Sequence, residues 1–343
     1  MPPSIVSPGP ATTLKASVPG VEEGLRRVEA KLDRLSRSSA LPAITDGTHH
    51  VVKAGGRRLR PALMLATGLA LDGSVNGRLV TSAACVELLH AGSLVHDDLM
   101  DDSAERRGVP TLNAEKGAGY ALMVGDFLVA RAGLAALRSA SRAVAEELAT
   151  ATVQLAEGQF LEMQDLFDAG RTPEKALASV ERKTAALFRA GCSVAARCVR
   201  AGEAERLAMA EYGHRFGVVF QLLDDVLDLF STAELLGKPV GNDLRQGVYT
   251  LPLIHALRDE RLRPVRDRLA DGGRELSDAD IEWIIKELRS SGVVGETLRR
   301  CRTLAREAAE ALPPIASACA AGALREFPLR YVEWARGMVA EPE

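Results

Sequence analysis

The sequence predicts an all-α protein. Of its 343 residues, 47% are hydrophobic and only 4% are aromatic, and the chain is rich in Ala, Leu, Arg and Glu, which favour helices. Apolar residues recur three and four positions apart, whereas the strict alternation typical of strands is rare. We therefore expect a large helical bundle with a substantial buried core.

The individual helices are predicted from apolar periodicity and from the Gly and Pro residues that interrupt it. The interruptions lie at Gly55-Gly56, Asp72-Gly73, Gly108 to Pro110, Gly170 to Pro173, Gly237 to Gly247 and Pro313-Pro314. Helices are expected, in order, over residues 21–37, 42–54, 59–71, 76–102, 116–138, 142–165, 174–201, 204–230, 250–270, 278–290, 295–312 and 321–339. Because no interruption has the character of an interdomain linker, residues 21–343 are expected to form a single helical domain.

The first twenty residues have a different composition from the rest. Residues 1–20 are rich in Pro, Ser, Thr and Gly and lack the basic start and apolar segment of a signal peptide. They are expected to form a flexible N-terminal tail. No uninterrupted apolar run reaches the length of a membrane span, so no transmembrane span is expected, while a peripheral membrane contact stays open.

Charge and cysteine content exclude several classes of protein. The net charge is -3, and no Lys/Arg cluster is interleaved with aromatic residues, so nucleic-acid binding is not expected. The five cysteines are dispersed, odd in number and without a C-x-x-C pair. Neither a disulfide framework nor a zinc site is indicated, and a reducing, cytoplasmic location is expected.

One carboxylate pattern occurs twice, as Asp97-Asp98-Leu99-Met100-Asp101 and as Asp224-Asp225-Val226-Leu227-Asp228. In a helix, the first and last Asp of each copy lie one turn apart on the same face. Carboxylates this close repel one another unless a cation holds them ionised, and their hard oxygen atoms suit Mg2+. A solvated acidic face is the alternative for either copy alone. The duplication, each time after an apolar run, favours two inward-facing metal sites.

Basic residues flank the first Asp pattern. The segment Gly55 to Pro61 places Arg57, Arg58 and Arg60 at a predicted helix start, where arginine forks and free N–H groups suit a diphosphate. A solvated basic turn is the alternative. Arg106-Arg107 follows the Asp pattern and suits the far side of a metal-bound diphosphate, unless it only balances the neighbouring acidic residues.

Two polar residues precede the Asp patterns on the same helix faces. His90 lies two turns before Asp97 and could donate to an anion, although a satisfied core histidine is the alternative. Gln221 lies one turn before Asp224.

Two further segments carry candidate residues for the same chemistry. Lys183-Thr184 is a weaker candidate when taken alone. The glycine-rich segment 237–247 contains Lys238 and Asp243, and it could close over a phosphate as a lid or be an exposed connection.

In order and spacing, these residues resemble the trans-type isoprenyl diphosphate synthases, also called polyprenyl synthetases. The resemblance runs from about Gly55 to Pro252 and is specific because its segments occur in combination. The matching segments are Gly55 to Pro61, Glu87 to His90, His96 to Asp101, Arg106 to Thr111, Gly125-Asp126, Lys183-Thr184, Phe220 to Asp228 and Gly237 to Pro252. The resemblance implies an isoprenoid-synthase-type helical bundle in which two Asp-rich helices face a central cavity.

The resemblance also implies the ligands of the metal. About three Mg2+ ions would bridge the two Asp motifs and the diphosphate of an allylic substrate. By position, the metal ligands are Asp97, Asp101 and Asp224, supported by Asp98, Asp225 and Asp228.

The two substrates are assigned to basic and polar residues in the same way. Isopentenyl diphosphate, which carries no metal, is expected to be bound by Arg57, Arg60, His90 and Arg107. The residues expected to contact the allylic diphosphate or to lie beside the developing carbocation are Arg106, Lys183, Thr184, Gln221 and Lys238. Arg57 stands where the family usually has Lys, and its fork differs from a point charge, so affinity can shift.

Product length is expected to follow the depth of the apolar cavity below the first Asp motif. Family members with short products place bulky aromatic residues near the positions of Gly92 and Ser93, which are small here and lie beside Leu89 on one helix. The motif also lacks the two-residue insertion of many short-chain bacterial members. The resemblance thus implies a trans-polyprenyl diphosphate longer than C20, of about C25 to C50. Geranylgeranyl diphosphate (C20) is the alternative product.

Two other classes share parts of this pattern. A class I terpene cyclase would have the all-α fold and the first Asp motif, but its second metal motif carries Ser/Thr and Glu at wider spacing. A non-catalytic partner subunit would be expected to lose an Asp motif or the basic residues, which this chain keeps. An active prenyltransferase is therefore expected, an additional partner stays open, and the resemblance implies a homodimer.

Overall fold

The computed structural model describes residues 10–106, 108–236, 239–272, 276–315 and 317–339. The chain forms two compact units. The first comprises Met1–Thr152, Leu187–Gly213 and Ala311–Phe327, and the second comprises Val153–Ala186, His214–Glu310 and Pro328–Glu343. The expectation of a single domain over residues 21–343 stays a prediction.

The first unit contains the N-terminal helices. They are α1 (Pro10–Ser17), α2 (Val21–Ser36), α3 (Pro42–Lys53), α4 (Leu59–Asp72), α5 (Gly77–Met100), α6 (Leu112–Lys116) and α7 (Ala118–Ser139). Strands β1 (Glu105–Arg106) and β2 (Val109–Pro110) form an antiparallel hairpin with Arg106 opposite Val109. The unit also holds the first part of α8 (Arg142–Gln164), most of α10 (Ala186–Cys198) and the first part of α11 (Glu203–Phe230).

The second unit holds the remainder of α8 and α11 together with shorter helices. These are α9 (Pro173–Val180), a π-helical turn (Glu181–Ala185), α12 (Ala233–Leu236), α13 (Asn242–Gln246), α14 (Leu251–Ala256), a 3-10 turn (Glu260–Leu262), α15 (Arg263–Gly272), α16 (Asp278–Ser290) and α17 (Val293–Glu310). The last helix, α18 (Ala318–Arg336), begins in the first unit and ends in the second.

The all-α prediction is confirmed, and most predicted helices match within a few residues. Two predicted helices are interrupted: residues 174–201 contain the π-helical turn, and residues 250–270 are divided by the 3-10 turn. The β hairpin and the short helices α6, α12 and α13 were not predicted. Segments of two to five residues are too short for apolar periodicity to appear in them.

Part of the segment before α2 is helical. Residues 1–9 lie outside the described part of the chain, but α1 begins at Pro10, and the side chains of Leu14 and Val18 are buried. Val18 follows the end of α1, and its backbone N–H donates to the carbonyl oxygen of Leu14 at 3.0 Å. The expectation of a flexible tail over residues 1–20 stays a prediction.

Helices α5 and α7 approach each other closely because glycines line their contact. A Cβ atom on Gly125 would lie 2.3 Å from Nε2 of His96, and one on Gly92 would lie 3.1 Å from the Gly125 carbonyl oxygen. The side chains of α5 are mostly buried. This helix is the centre of the first unit and carries the first Asp motif at its C-terminal end.

Two helices, α5 and α7, are long and apolar enough to cross a membrane by length and composition alone. In α5, 72% of the apolar window is buried inside the protein, as expected of a core helix. In α7 the buried share is 39%. Helix α7 therefore leaves a large part of its apolar surface without cover from its own chain.

Candidate active site

The first Asp motif lies at the C-terminal turn of α5. The backbone N–H of Asp101 donates to the carbonyl oxygen of Asp97 at 2.9 Å, so the two residues are one helical turn apart. Asp101 is exposed and Asp97 is half-buried. A helix C-terminus carries partial negative charge, to which these carboxylates add. The local electrostatics therefore favour a bound cation.

Asp98 has a different role from its two neighbours. Its side chain is buried, and its Oδ1 accepts a hydrogen bond from Nε of Arg106 at 2.6 Å. The hairpin β1–β2 turns the chain back and places Arg106 beside the helix end. Arg106, which was predicted to bind the allylic diphosphate, is thus held next to the Asp motif by Asp98. Arg107 lies outside the described residues.

A cleft opens beside this motif within the first unit. It brings together three predicted residues, His90, Asp98 and Arg106. Its apolar walls come mainly from α3, α5 and the hairpin region, and they are Val51, Ala54, Ala91, Leu94, Val95, Val109, Pro110 and Leu112. The cleft therefore combines ionic groups with surfaces that exclude water.

The three arginines before α4 have different surroundings. Arg57 is exposed. The guanidinium carbon of Arg60 lies 4.4 Å from the centroid of the Phe188 ring, a cation–π geometry that fixes the side chain. Arg58, which the resemblance did not assign to a substrate, lines the cleft and pairs with Glu87 of α5. A signal was available, because Glu87 stands within an apolar run and needs a buried partner.

The second Asp motif lies on α11 in the second unit. Asp224 is exposed, whereas Asp225 and Asp228 are buried. The Thr184 hydroxyl donates to Oε1 of Gln221 at 2.7 Å, and Nε2 of Gln221 donates to Oδ1 of Asp225 at 2.8 Å. Three predicted residues are therefore connected in one network.

Burial changes the protonation of Asp225. Removal from water raises the pKa of this carboxyl to about 8, and the charges of Asp224, Glu162 and Asp228 act in the same direction. The hydrogen bond from Gln221 opposes this shift. The motif thus contains more negative charge than its surroundings stabilise, which fits residues that would hold a divalent cation.

Lys183 lies in the π-helical turn, a local irregularity that is frequent at functional sites. Its Nζ is 2.5 Å from Oε1 of Glu162 on α8. Gly158 lets α8 come this close, because a Cβ there would lie 2.3 Å from the backbone nitrogen of Lys183. Glu162 and Gly158 were not selected from the sequence. They orient a predicted substrate-binding lysine.

Asp228 anchors the loop that follows the second motif. Its Oδ2 accepts from the backbone N–H of Asp243 at 3.0 Å, and its carbonyl oxygen accepts from Gly241 at 2.7 Å. The loop is held at its other end by Phe167, whose backbone N–H donates to the Gly247 carbonyl oxygen at 2.8 Å. Lys238 lies outside the described residues.

The predicted chain-length residues lie on α5 below the first motif. Leu89 and Gly92 are buried, and the Ser93 hydroxyl donates to the His90 carbonyl oxygen at 2.9 Å. A side chain at Gly92 would contact Val129 and the backbone of α7. Gly92 therefore permits the close packing of α5 against α7.

The carboxylates of each motif suit a metal that also takes oxygen atoms from a substrate, since Mg2+ is often bound by one or two carboxylates plus phosphate groups. Within the described ranges, no three His, Cys, Asp or Glu side chains form a cluster that could hold a metal ion.

The sequence has clear relatives. A sequence model of the polyprenyl synthetase family matches residues 42–288. The octaprenyl diphosphate synthase of Haemophilus influenzae is 34% identical over 280 residues, which cover 80% of this chain and 83% of that protein. A short chain isoprenyl diphosphate synthase of Methanocaldococcus jannaschii is 35% identical over 278 residues, which cover 79% and 81% of the two proteins.

The fold has solved counterparts as well. A crystal structure of polyprenyl synthase from Caulobacter crescentus, complexed with calcium and isoprenyl diphosphate, superimposes with a TM-score of 0.83 at 31% identity. The match covers 96% of this chain and 99% of that chain. Sequence and fold agree with the resemblance that the motifs indicated. The chain therefore belongs to the polyprenyl synthetase family.

Proposed function

We propose that this prenyltransferase condenses isopentenyl diphosphate with an allylic diphosphate and makes a trans-polyprenyl diphosphate longer than C20. The observation that carries the proposal is the cleft beside the first Asp motif, where His90 and Arg106 lie among apolar walls. An anionic head group and a hydrocarbon chain need such a combination of surfaces.

The reaction requires diphosphate binding, exclusion of water and no nucleophilic side chain. His90, Arg57, Arg60 and Arg107 hold the diphosphate of isopentenyl diphosphate. The carbon framework lies against Leu94, Val95 and the other apolar residues of the cleft. Those walls keep water from the allylic cation, which the double bond of isopentenyl diphosphate attacks.

The allylic diphosphate is assigned to both motifs. Asp97, Asp101 and Asp224 would hold Mg2+, which when bound offsets the charge of the diphosphate and favours its departure. Lys183 exchanges its contact with Glu162 for one with the same diphosphate. Thr184 and Gln221 are held in position by their hydrogen-bond network to Asp225.

The proposed product length follows from two residues of α5 and from one relative. Gly92 and Ser93 are small, and the octaprenyl diphosphate synthase relative is 34% identical. Geranylgeranyl diphosphate (C20) is the second candidate, favoured by the short chain relative at 35% identity. Incubation with Mg2+, isopentenyl diphosphate and, separately, dimethylallyl, geranyl, farnesyl and geranylgeranyl diphosphates distinguishes the two by mass spectrometry. A product series that ends at C20 or below contradicts the proposed length, and absence of elongation contradicts the reaction.

A second copy of this chain is the partner that the exposed side of α7 fits. Four apolar side chains of α7 are exposed, those of Leu122, Met123, Leu134 and Leu137. Successive members are one, eleven and three residues apart, which places all four on one side of the helix. An apolar stripe of this length on a helix is typical of an interface. The homodimer forms through α7.

The five cysteines are all free thiols, which supports a reducing, cytoplasmic location.

A further inference from the structure

We propose that Arg58 is a positioning residue for isopentenyl diphosphate. Through its pairing with buried Glu87, it fixes the segment that carries Arg57 and Arg60 against the helix that carries His90. The inference rests on the proposed function, and it concerns an arginine that does not itself bind substrate.

Protein groups engage the Arg58 guanidinium on three sides. Nη1 donates to Oε1 of Glu87 at 2.8 Å, Nε donates to Oε1 of Glu29 at 2.6 Å, and Nη2 donates to the carbonyl oxygen of Val52 at 3.0 Å. The side chain is only 11% exposed. Its planar fork is thus committed to α2, α3 and α5, and this geometry suits a structural link between helices.

The backbone at Arg58 supports the same conclusion. The backbone of this residue has φ 50° and ψ 36°, a left-handed conformation that residues other than glycine rarely adopt. The conformation is unfavourable for a residue with a Cβ atom and persists only where surrounding contacts hold it. Here it turns the chain from Gly55-Gly56 into the first residue of α4. The contacts of Arg58 therefore determine how the segment enters the helix, and with it the positions of Arg57 and Arg60.

Glu87 links this segment to the substrate cleft. It precedes His90 by three residues on α5, so the two lie on neighbouring positions of one face. Glu87, Arg58 and His90 all line the cleft. An unpaired carboxylate at Glu87 would repel an incoming diphosphate at this point. Arg58 therefore neutralises a buried charge as well as fixing the segment.

The electrostatics of Arg58 agree with a strong pairing. Burial acts to lower the pKa of its guanidinium, but the hydrogen bonds and charges of Glu29 and Glu87 outweigh burial and raise the pKa. Glu29 is about half-exposed, whereas the Glu87 side chain is 8% exposed. A buried partner is expected to contribute more than an exposed one.

The test compares steady-state kinetics of Arg58→Gln, Glu87→Gln and the double variant. We expect Arg58→Gln to raise KM for isopentenyl diphosphate about tenfold, equivalent to about 1.4 kcal/mol, with less than a twofold change in KM for the allylic diphosphate. The double variant should recover part of this loss, because it leaves no unpaired charge in the cleft. Arg58→Lys should be intermediate, since a point charge cannot reach three partners.

Two variants serve as controls. Glu29→Gln removes the exposed partner of the same arginine and should change KM less than about threefold. Glu146→Gln removes the exposed ion pair with Arg142 on α8 and should leave kinetics unchanged. If Arg58→Gln does not fold, as judged by circular dichroism, Arg58→Lys and Glu87→Gln provide the same comparison.

The outcomes separate this inference from the proposed function. Equal increases in KM for both substrates, a loss confined to kcat, or unchanged kinetics in Arg58→Gln would each overturn the positioning role while leaving the prenyltransferase intact. A wild-type protein that elongates no primer would instead refute the proposed function.

Discussion

The side chain of Gln221 donates a hydrogen bond to Oδ1 of Asp225 at 2.8 Å, one helical turn along α11. The same side chain accepts from the Thr184 hydroxyl. Asp225 therefore points into the protein, while its neighbour Asp224 is exposed. Adjacent carboxylates in one motif thus have different surroundings: Asp224 is exposed, and Asp225 is buried and hydrogen-bonded to the preceding helix turn.

The first prediction concerns the pH dependence of stability in the metal-free protein. Because the folded-state pKa of Asp225 is raised to about 8 from a usual value of 3.8, the folded protein retains a proton that the unfolded chain loses. The Asp225 contribution to the free energy of unfolding should fall as pH rises between these values, by at most about 1.4 kcal/mol per pH unit, and level off above the upper one.

Thermal unfolding of the wild type and of Asp225→Asn across that range measures the effect. The Asn variant keeps a side chain of the same shape and has no proton to lose, so its Tm should fall less with rising pH. Parallel profiles for the two proteins would show that Asp225 is not protonated in the folded state.

The second prediction concerns the contact between α5 and α7. Gly125→Ala should destabilise the protein by about 1 to 3 kcal/mol, because its Cβ would meet the His96 ring at 2.3 Å. Gly322→Ala in α18 is the matched control. Apart from its chain neighbours and its own helix backbone, no atom of the described residues lies within 4 Å of its Cβ position, so replacing a helical glycine there should be neutral or stabilising by up to about 1 kcal/mol. Urea unfolding measures the free energy of unfolding of both variants. Equal changes in the two variants would argue against close packing at Gly125.

The third prediction concerns the exposed side of α7. Replacing Leu134 and Leu137 by Asp should convert a dimer into monomers, because charges would then occupy the apolar stripe. Sedimentation equilibrium measures the mass directly. Leu207→Asp is the control, since this leucine is 51% exposed on a different helix, α11. A wild type that is monomeric, or a double variant that stays dimeric, would exclude α7 as the interface.

The helices could be predicted because their apolar periodicity is long enough to read, as in α2, α5, α11 and α16. The irregular parts could not. The π-helical turn at Glu181–Ala185 depends on the close approach of Gly158, and the left-handed backbone of Phe167 depends on packing against Gly247, where a Cβ would lie 2.5 Å from its ring. Both features are set by contacts between segments distant in sequence.

Site residues followed the same division. Motif spacing selected Asp97, Asp224 and His90 as candidates, because ligand chemistry restricts which residue types can occupy those positions. It did not select Glu162, and it did not distinguish Arg58 from Arg57 and Arg60, because the partners of Glu162 and Arg58 are set by the fold. It did not predict that Asp228, which the resemblance gives a supporting role in metal binding, also holds the loop at Gly241 and Asp243.

The two Asp motifs are proposed to act together in prenyl transfer, and variants of each motif test this. Elongation of an allylic primer with isopentenyl diphosphate and Mg2+ should be lost in Asp97→Asn and in Asp224→Asn, with the circular dichroism spectrum unchanged. Asp102→Asn should retain activity, because this exposed aspartate lies just beyond the motif at a φ of 48° that Asn also tolerates. Normal elongation by either motif variant would contradict the account.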